Sequence, residues 1–339
     1  MTRIEPRVSV MVRAYNVSPW IEQCLDSILA QRTSFSVEIL VHDDASTDGT
    51  TDILHRYQDQ YPEQVQVVFQ TVNQHGLGRN PASPLVAIAR GEFLALCDGD
   101  DFWTNTHKLQ IQVDRLDLDP TLSIVMHQSD LLVGEQLQAR SSAGESLYQL
   151  KHFVKQMAIG SASSSIVCRH SPEIRADFSG AGAYDNTGAD WLLCVSALKN
   201  GELCFLHQSM GVYRIRPQSL YSTKPWIEQW KVHIHSALTV SAILGDRWKA
   251  QILNFNKRRL LLRWACARCV SDLQEMETEF RKIEKNVIIK WITSLLMHSP
   301  MKSIYGVHLS KTFYWNLGVS RSTSMNSSMS ASRKSFLPL

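Results

Sequence analysis

Apolar positions fall in short blocks whose period changes along the chain. Residues 8–13 are almost wholly apolar, the pattern of a strand buried on both faces. Ala14-Tyr15-Asn16 leaves that strand. Ser18 and Pro19 then stand where a helix cap and a first helical position are favoured. Trp20, Ile21, Cys24, Leu25, Ile28 and Leu29 recur at helical spacing, so one face of this helix is predicted to be buried. Residues 37–41 read as a second strand that ends in His42-Asp43-Asp44. Ser46-Thr47-Asp48-Gly49-Thr50 opens the next helix, with Asp48 near its positive end, and Ile53, Leu54 and Tyr57 continue it. Residues 65–69 predict a third strand, 73–81 a glycine-containing loop, 82–90 a short helix closed by Gly91, and 93–97 a fourth strand.

Strands alternating with helices at this spacing predict βαβ units and a mostly parallel sheet. Right-handed crossovers bring the strand ends to one edge. Asp43, Asp44, Asp98 and Asp100 are therefore expected to meet, although they are far apart in the chain. Past Trp103 the pattern turns helical through Lys108, Leu109, Ile111, Val113 and Leu116. Residues 123–127 and 161–168 look like strands, and the polar stretch 131–156 predicts loop plus a short helix. A helix runs from Asp190 to about Leu198 and stops at Asn200-Gly201; 203–206 and 210–214 are two short strands. From Trp226 the pattern becomes helical up to about Met297, and the Ser-rich end predicts disorder. The expected division is a catalytic α/β domain over 1–225, a helical region over 226–317 and a tail over 318–339.

Composition narrows the classes. The chain has 339 residues, enough for one large domain or two ordinary ones, and its net charge of +3 is too small to argue for a nucleic-acid partner. Seven cysteines, odd in number and scattered in apolar segments, favour reduced, packed thiols in a cytoplasmic protein over a disulfide framework. Cys266 and Cys269 form a C-x-x-C without an answering pair, so packing in a helix outweighs zinc. No apolar core follows the charged opening residues as a signal peptide needs, and no apolar run reaches the roughly 18 residues of a bilayer span. Arg258, Arg259, Arg263 and Arg268 make one later segment basic. Lys285, Lys290, Lys302 and Lys311, with Trp291, Tyr305, Phe313 and Trp315, make another basic and aromatic. Two readings stay open for the latter: it packs on the catalytic domain or a second copy, or it docks on the inner face of the cell membrane.

The chemistry concentrates at Asp98-Gly99-Asp100-Asp101, which follows the buried run Leu94-Ala95-Leu96-Cys97. Charges cannot be buried unpaired, so they belong where the strand leaves the sheet, the edge at which open α/β sheets bind ligands. Hard oxygen ligands this close suit Mg2+ or Mn2+. The bland alternative is a solvated acidic turn, since Asp-Gly is strong turn chemistry.

The ordered set Val8-Ser9-Val10-Met11-Val12, Ala14-Tyr15-Asn16, Asp43 to Thr50, Ala89-Arg90-Gly91-Glu92-Phe93 and Asp98-Gly99-Asp100-Asp101 resembles the family-2 glycosyltransferases. Asp98 to Gln112, with Phe102-Trp103, Lys108-Leu109 and Gln112, is similar to a bacterial subset linked to surface polysaccharides, including lipopolysaccharide or capsule. Ala189-Asp190-Trp191-Leu192 and Val212-Tyr213-Arg214-Ile215 match two further family motifs. The resemblance spans residues 8 to about 222. It implies a GT-A nucleotide-diphospho-sugar transferase fold, a mostly parallel central sheet flanked by helices, here with an α-helical C-terminal extension.

What the resemblance implies for the site is specific. Ala14, Tyr15, Asn16, Asp43, Asp44, Arg79, Asn80, Asp98 and Gly99 would line the nucleotide-sugar, usually a UDP-sugar, with one of Asp43 and Asp44 serving only to cap the next helix. Arg79 stands equally well as a phosphate contact or a surface charge. Asp98 and Asp100 form the family's D-x-D motif; Asp100, joined by Asp101, would hold Mn2+ or Mg2+ on the diphosphate. Asp190 would be the base that deprotonates an acceptor hydroxyl for one inverting displacement, its alternative being a simple N-cap. Two departures are visible. Arg216 stands where the family often has His; with Arg214 it is expected to meet the diphosphate as a planar fork. Arg13 stands where many relatives have Pro, with no consequence legible in the sequence.

The expected function is an inverting, metal-dependent transfer of a sugar to a glycan or lipid-linked acceptor by a protein that is cytoplasmic, with peripheral membrane contact and homo-oligomerisation as open possibilities. The competing class is a non-catalytic sugar-nucleotide-binding or assembly module on the same fold, since fold alone does not guarantee activity. A receiver-like signalling domain also clusters aspartates, but the chain is too long for one.

Overall fold

The computed structural model describes residues 5–156, 162–179 and 188–216, together with Ser236, Thr239, Val240, 242–244 and Trp248. Structural statements below concern these residues. The expected boundary at 225, the C-x-x-C at Cys266 and Cys269, the basic-aromatic segment and the tail over 318–339 lie outside them.

The apolar runs become strands buried on both faces. β1 (Val8–Ala14), β2 (Val37–Asp43) and β4 (Phe93–Asp98) lie side by side, with β1 central and parallel to both. Their side chains alternate between two cores. Met11, Leu40, Leu94 and Leu96 face α3 (Ser83–Ile88), α6 (Pro172–Ser179) and α7 (Ala189–Leu198). Val10, Val12, Ile39, Val41, Ala95 and Cys97 face α1 (Ile21–Leu29), α2 (Thr50–Gln60) and α4 (Lys108–Leu118). Double-sided burial is why these strands read as apolar runs and not as alternating ones. β3 (Val65–Phe69) extends the sheet beside β2, also in parallel.

The other half of the sheet is mixed. Including β5 (Phe102–Trp103), β6 (Leu122–Val133), β9 (Val167–Arg169) and β10 (Glu202–Ile215), the order is β3-β2-β1-β4-β9-β6-β10-β5. β9 is antiparallel to β4 and β6, whereas β10 runs parallel to β6. The two short strands expected over 203–214 are one bulged strand. Its register against β6 shifts between Leu206 and Ser209 and again before Gly211, where polar His207-Gln208-Ser209 breaks the apolar run. The stretch 131–156 is more ordered than loop plus helix. β6 continues to Val133, Gly134 turns at φ +60°, and β7 (Gln136–Gln138) pairs back onto it. β8 (Glu145–Tyr148) then pairs with β10, and α5 (Leu150–Gln156) follows. These edge strands are mostly solvated, so they carry no apolar signal. At 163–165 a 3-10 turn replaces the expected start of a strand.

Helix boundaries differ for local reasons. α1 begins at Ile21, after a turn in which Trp20 and Ile21 donate to the Val17 carbonyl; the Ser18 N–H donates to Asp48 Oδ2 at 3.0 Å. α3 ends at Ile88 because Ala89 is extended. Gly91 is required for a different reason from helix closure: a Cβ there would lie 2.5 Å from the Ser9 nitrogen and 2.8 Å from the Val8 carbonyl carbon. Beside it, buried Glu38 accepts from Ser9 Oγ at 2.6 Å and from three nitrogens of Arg90. Because the obstruction is backbone, Gly91→Ala is expected to cost about 1–3 kcal/mol, read by urea denaturation.

Candidate active site

Register places the chemistry before any side chain is considered. Arg13 is paired with Asp98 across β1 and β4, and Ala14 with Asp43 across β1 and β2. The three strands therefore discharge their polar ends at one edge. The exits are stitched together: the Asp44 N–H donates to the Ala14 carbonyl at 3.0 Å, and the Thr47 N–H donates to Asn16 Oδ1 at 2.8 Å. Asn16 and Ala45 hold left-handed backbone, φ 51° and 62°. That conformation is unfavourable for a Cβ-bearing residue and characteristic of ligand clamps. Tyr15 is half-buried.

Asp43 and Asp44 divide the labour. Asp43 accepts from the Ser46 N–H at 3.1 Å and the Thr51 hydroxyl at 2.5 Å, so it ties β2 to the start of α2. Asp44, 2% exposed, accepts from the N–H groups of Gln74 at 2.5 Å and His75 at 3.0 Å and holds the 73–81 loop over the edge. On that loop Arg79 is exposed and donates to Gln74 Oε1 at 2.8 Å, while buried Asn80 accepts from the Ala82 N–H at the start of α3. Gly99 donates to the Arg13 carbonyl at 2.8 Å, with a virtual Cβ only 3.1 Å from that oxygen.

The three carboxylates after β4 each have a different partner. Asp98 Oδ1 receives Arg13 Nε at 2.8 Å and Nη2 at 2.6 Å; its Oδ2 receives the Ser163 hydroxyl at 2.5 Å. Asp100 Oδ2 is paired with Arg216 Nε at 2.6 Å. Asp101, 1% exposed, accepts the Arg214 N–H at 3.0 Å. Burial, then the charges of Asp100 and Asp98, push the Asp101 carboxyl well above the usual carboxylate range, and burial with Asp98 raises Asp100 as well.

The expected Mg2+ or Mn2+ at Asp100 and Asp101 is to be set against this donor set. Asp101 is shut inside the protein, Asp100 is capped by a guanidinium, and Asp98 has both oxygens engaged. Among the described residues no three His, Cys, Asp or Glu side chains are grouped to hold a metal ion. A metal site needs open oxygen positions, and as arranged these residues do not fit one.

Arg214 is committed as well. Its Nε donates to the Asp100 carbonyl at 2.9 Å and its Nη2 to Gln23 Oε1 at 2.8 Å, and its guanidinium lies 5.5 Å from the Phe102 ring centre. It clamps the carboxylate loop to β10 and α1. The Arg216 guanidinium stacks over Trp20 at 4.6 Å.

Asp190 lies in the first turn of α7, and Gly188 is the N-cap residue. It is therefore not the N-cap residue, although its carboxylate accepts the first-turn N–H groups of Asp190 and Trp191. Burial raises its carboxyl; the charge of Arg13 and the Trp191 N–H pull it back down. Arg13 is the shared neighbour. Burial opposes its charge, but Asp98, Asp190 and Asp100 together hold its pKa up. Tyr213, pushed up to about 12 by burial, feels Asp101, Asp98, Asp100 and Asp190. His42, kept neutral chiefly by burial, feels Asp44, Asp43 and Arg13. Of the acidic residues read from sequence, Asp98 pairs with Arg13, and Asp100 and Asp190 lie within reach of its charge. Arg13, Ser163 and Trp20 are the site residues that sequence reasoning does not find. For Arg13 the register of β1 on β4 is the available signal.

Comparison with known proteins bears on the family and the fold. The model of glycosyl transferase family 2 matches residues 9–163. A Mycobacterium tuberculosis protein, Uncharacterized protein Rv1520, is 30% identical over 253 residues, 70% of this chain and 68% of that one. The poly(ribitol-phosphate) beta-glucosyltransferase of Bacillus spizizenii is 38% identical over 97 residues, 28% of this chain and 15% of that one. Among solved structures, S. aureus TarS 1-349 in complex with UDP-GlcNAc superposes with a TM-score of 0.55 at 18% identity, covering 74% of this chain and 72% of that one, a likeness of fold. The fold is GT-A-like, and the chain belongs to glycosyl transferase family 2.

Proposed function

We propose that this glycosyltransferase moves a sugar from a nucleoside-diphosphate sugar, with uridine as the base, to a hydroxyl of a glycan or lipid-linked acceptor in surface-polysaccharide synthesis, inverting the anomeric centre. The observation that carries the reading is that β1, β2 and β4 end at one edge, where Asp98 pairs with Arg13, Asp100 with Arg216, and Asp190 lies within reach of the Arg13 charge. In this reading the 73–81 loop, held by Asp44, closes over the base, and Asp98 and Asp100 lie along ribose and diphosphate. Asp190 takes the proton of the acceptor hydroxyl as its oxygen attacks the anomeric carbon. The bond from that carbon to the phosphate oxygen breaks, and the electron pair leaves on the nucleoside diphosphate. The uridine assignment is supported by the UDP-GlcNAc bound in TarS, and a polymeric hydroxyl acceptor by the name of the Bacillus relative, a poly(ribitol-phosphate) glucosyltransferase. No step is assigned to a divalent cation, because Arg216 caps Asp100 and Asp101 is shut inside the protein.

The test is a donor screen on the full chain: thermal shift and released nucleoside diphosphate with UDP-Glc, UDP-GlcNAc, UDP-Gal and GDP-Man. Stabilisation by one UDP-sugar with slow UDP release is the expected result, since a ligand of the folded state raises its melting temperature. Stabilisation with no release, even with membrane or glycan extracts as acceptor, would favour the non-catalytic binding module. Within this reading Asp44→Asn sets an amide NH2 against two backbone donors, leaving buried groups unpaired. UDP affinity is expected to fall about tenfold, roughly 1.4 kcal/mol, by isothermal titration.

A further inference from the structure

We propose that Arg13 and Arg216, and not a divalent cation, neutralise the donor diphosphate in this enzyme. The inference rests on the nucleotide-sugar reading above and concerns how that site handles charge. Both arginines are held at the carboxylate edge by aspartates of the 98–101 loop: Arg13 on Asp98 through Nε and Nη2, Arg216 on Asp100, the expected ion ligand, through Nε. Both pairs keep part of their surface open, 21% and 25% for Arg13 and Asp98, 12% and 17% for Arg216 and Asp100, whereas Asp101 is closed off. They therefore stand at the rim a ligand would reach.

The two side chains are also rigidly presented. The Arg216 guanidinium lies over Trp20, 4.6 Å from the ring centre, so its position is fixed before a ligand arrives. Arg13 sits on the central strand, paired in register with Asp98, beside His42 on β2. A guanidinium carries five N–H donors in one plane. A group that meets a carboxylate through one edge can meet phosphate oxygens through another, and arginine forks match phosphate geometry bidentately. Each aspartate then serves as the strut that aims an arginine. Charge that develops on the leaving phosphate oxygen meets fixed positive groups, which need no reorganisation.

The experiment uses the full chain, freed of metal with EDTA. UDP and GDP binding are measured by titration calorimetry in EDTA and in Mn2+, and Mn2+ alone is followed by electron paramagnetic resonance with and without UDP. In the wild type, UDP affinity is expected to agree within about threefold between EDTA and Mn2+, and the Mn2+ spectrum to remain that of the free aquo ion. Arg216→Gln is expected to weaken UDP at least tenfold with no change in its melting temperature beyond a few degrees. Arg216→His is expected to make UDP binding depend on Mn2+. UDP binding by the wild type that is lost in EDTA and restored by Mn2+ overturns the inference and leaves the proposed function standing. Failure of both nucleotides to bind in either condition overturns the proposed function and the inference together. The wild-type arm decides even if a variant does not fold.

Discussion

Asp190→Asn is expected to lower sugar transfer by about 10²- to 10⁴-fold, the range that a positioned general base contributes, while UDP affinity changes less than about threefold. The pH profile should identify the role. A base works deprotonated, so kcat/KM falls as pH drops through its pKa. Burial raises the Asp190 carboxyl, so the acidic limb belongs above the ordinary carboxylate range, and the residual activity of Asp190→Asn should lack it. Arg13 pulls that carboxyl down, so Arg13→Gln should move the limb further up. Stability provides an independent check. A carboxyl whose folded pKa is raised costs the fold stability as pH climbs from its unfolded to its folded value, and at pH values above both the cost is fully present. Removing the charge relieves it. Asp190→Asn should therefore melt no lower than the wild type at neutral pH, and about 1 kcal/mol of gain is typical of removing a functional strain. A residue retained only for structure would show the opposite pattern, a lower melting temperature with activity lost in proportion to unfolded protein.

The half of the molecule that holds the donor edge is legible in the sequence because its strands are buried on both faces. Val10 and Met11, or Leu40 and Val41, face opposite cores, so the chain shows an unbroken apolar run where either core alone would give alternation. Parallel order and crossover handedness then place Asp43, Asp44, Asp98 and Asp100 at one rim from pattern alone. What the pattern does not carry is the partner of each carboxylate. Asp98 is satisfied by Arg13, which looks like a stray charge inside an apolar strand, and by Ser163, which follows by 65 positions. Asp44 is satisfied by backbone N–H groups of a loop with no periodicity. Such contacts follow from register and loop geometry, and neither leaves a local signature. β10 reads as two strands for a related reason. Its bulges insert His207-Gln208-Ser209 where alternation should continue, and those bulges let the strand carry Arg214 and Arg216 back to the carboxylate edge. Arg13 and Arg216, two separate arginines in the sequence, become one feature in the fold, where they sit on Asp98 and Asp100.

Lys108, which belongs with Trp103 and Gln112 in the motif after the carboxylates, carries the largest expected effect on stability. Its side chain is fully buried at the start of α4; Nζ lies 4.0 Å from the centre of the Trp103 ring and has no hydrogen-bond partner among the described residues. Burial pushes the ammonium down to about 7, and the same charge, after burial, helps to push His127 down to about 3. The indole face works in the other direction, since it attracts a cation by up to about 2 kcal/mol when desolvated. The sign is then fixed. A lysine whose folded pKa lies below its unfolded value weakens the fold fully at pH below about 7 and progressively less as pH rises toward 10.5. Wild-type stability measured against Lys108→Met should therefore improve between pH 6.5 and 9.5. The expected gain is on the order of 2–3 kcal/mol, from about 1.36 kcal/mol for each pH unit between the folded and unfolded pKa values, less the indole attraction. Urea denaturation of both proteins at the two pH values reads the difference, in which the titration of all other groups cancels. A difference that is flat with pH would mean the amine is either neutral or fully solvated. The cost of keeping a lysine there is intelligible from what Trp103 does. Its backbone N–H donates to Ser27 Oγ at 3.0 Å and its indole Nε1 to the Ser164 carbonyl at 2.9 Å, in the 3-10 turn whose Ser163 hydroxyl holds Asp98. An ammonium pressed on that ring fixes the turn, and the turn fixes the carboxylate that aims Arg13. Lys108→Met should accordingly give a protein more stable at pH 6.5 that binds UDP more weakly, because a thioether packs on the ring without attracting it.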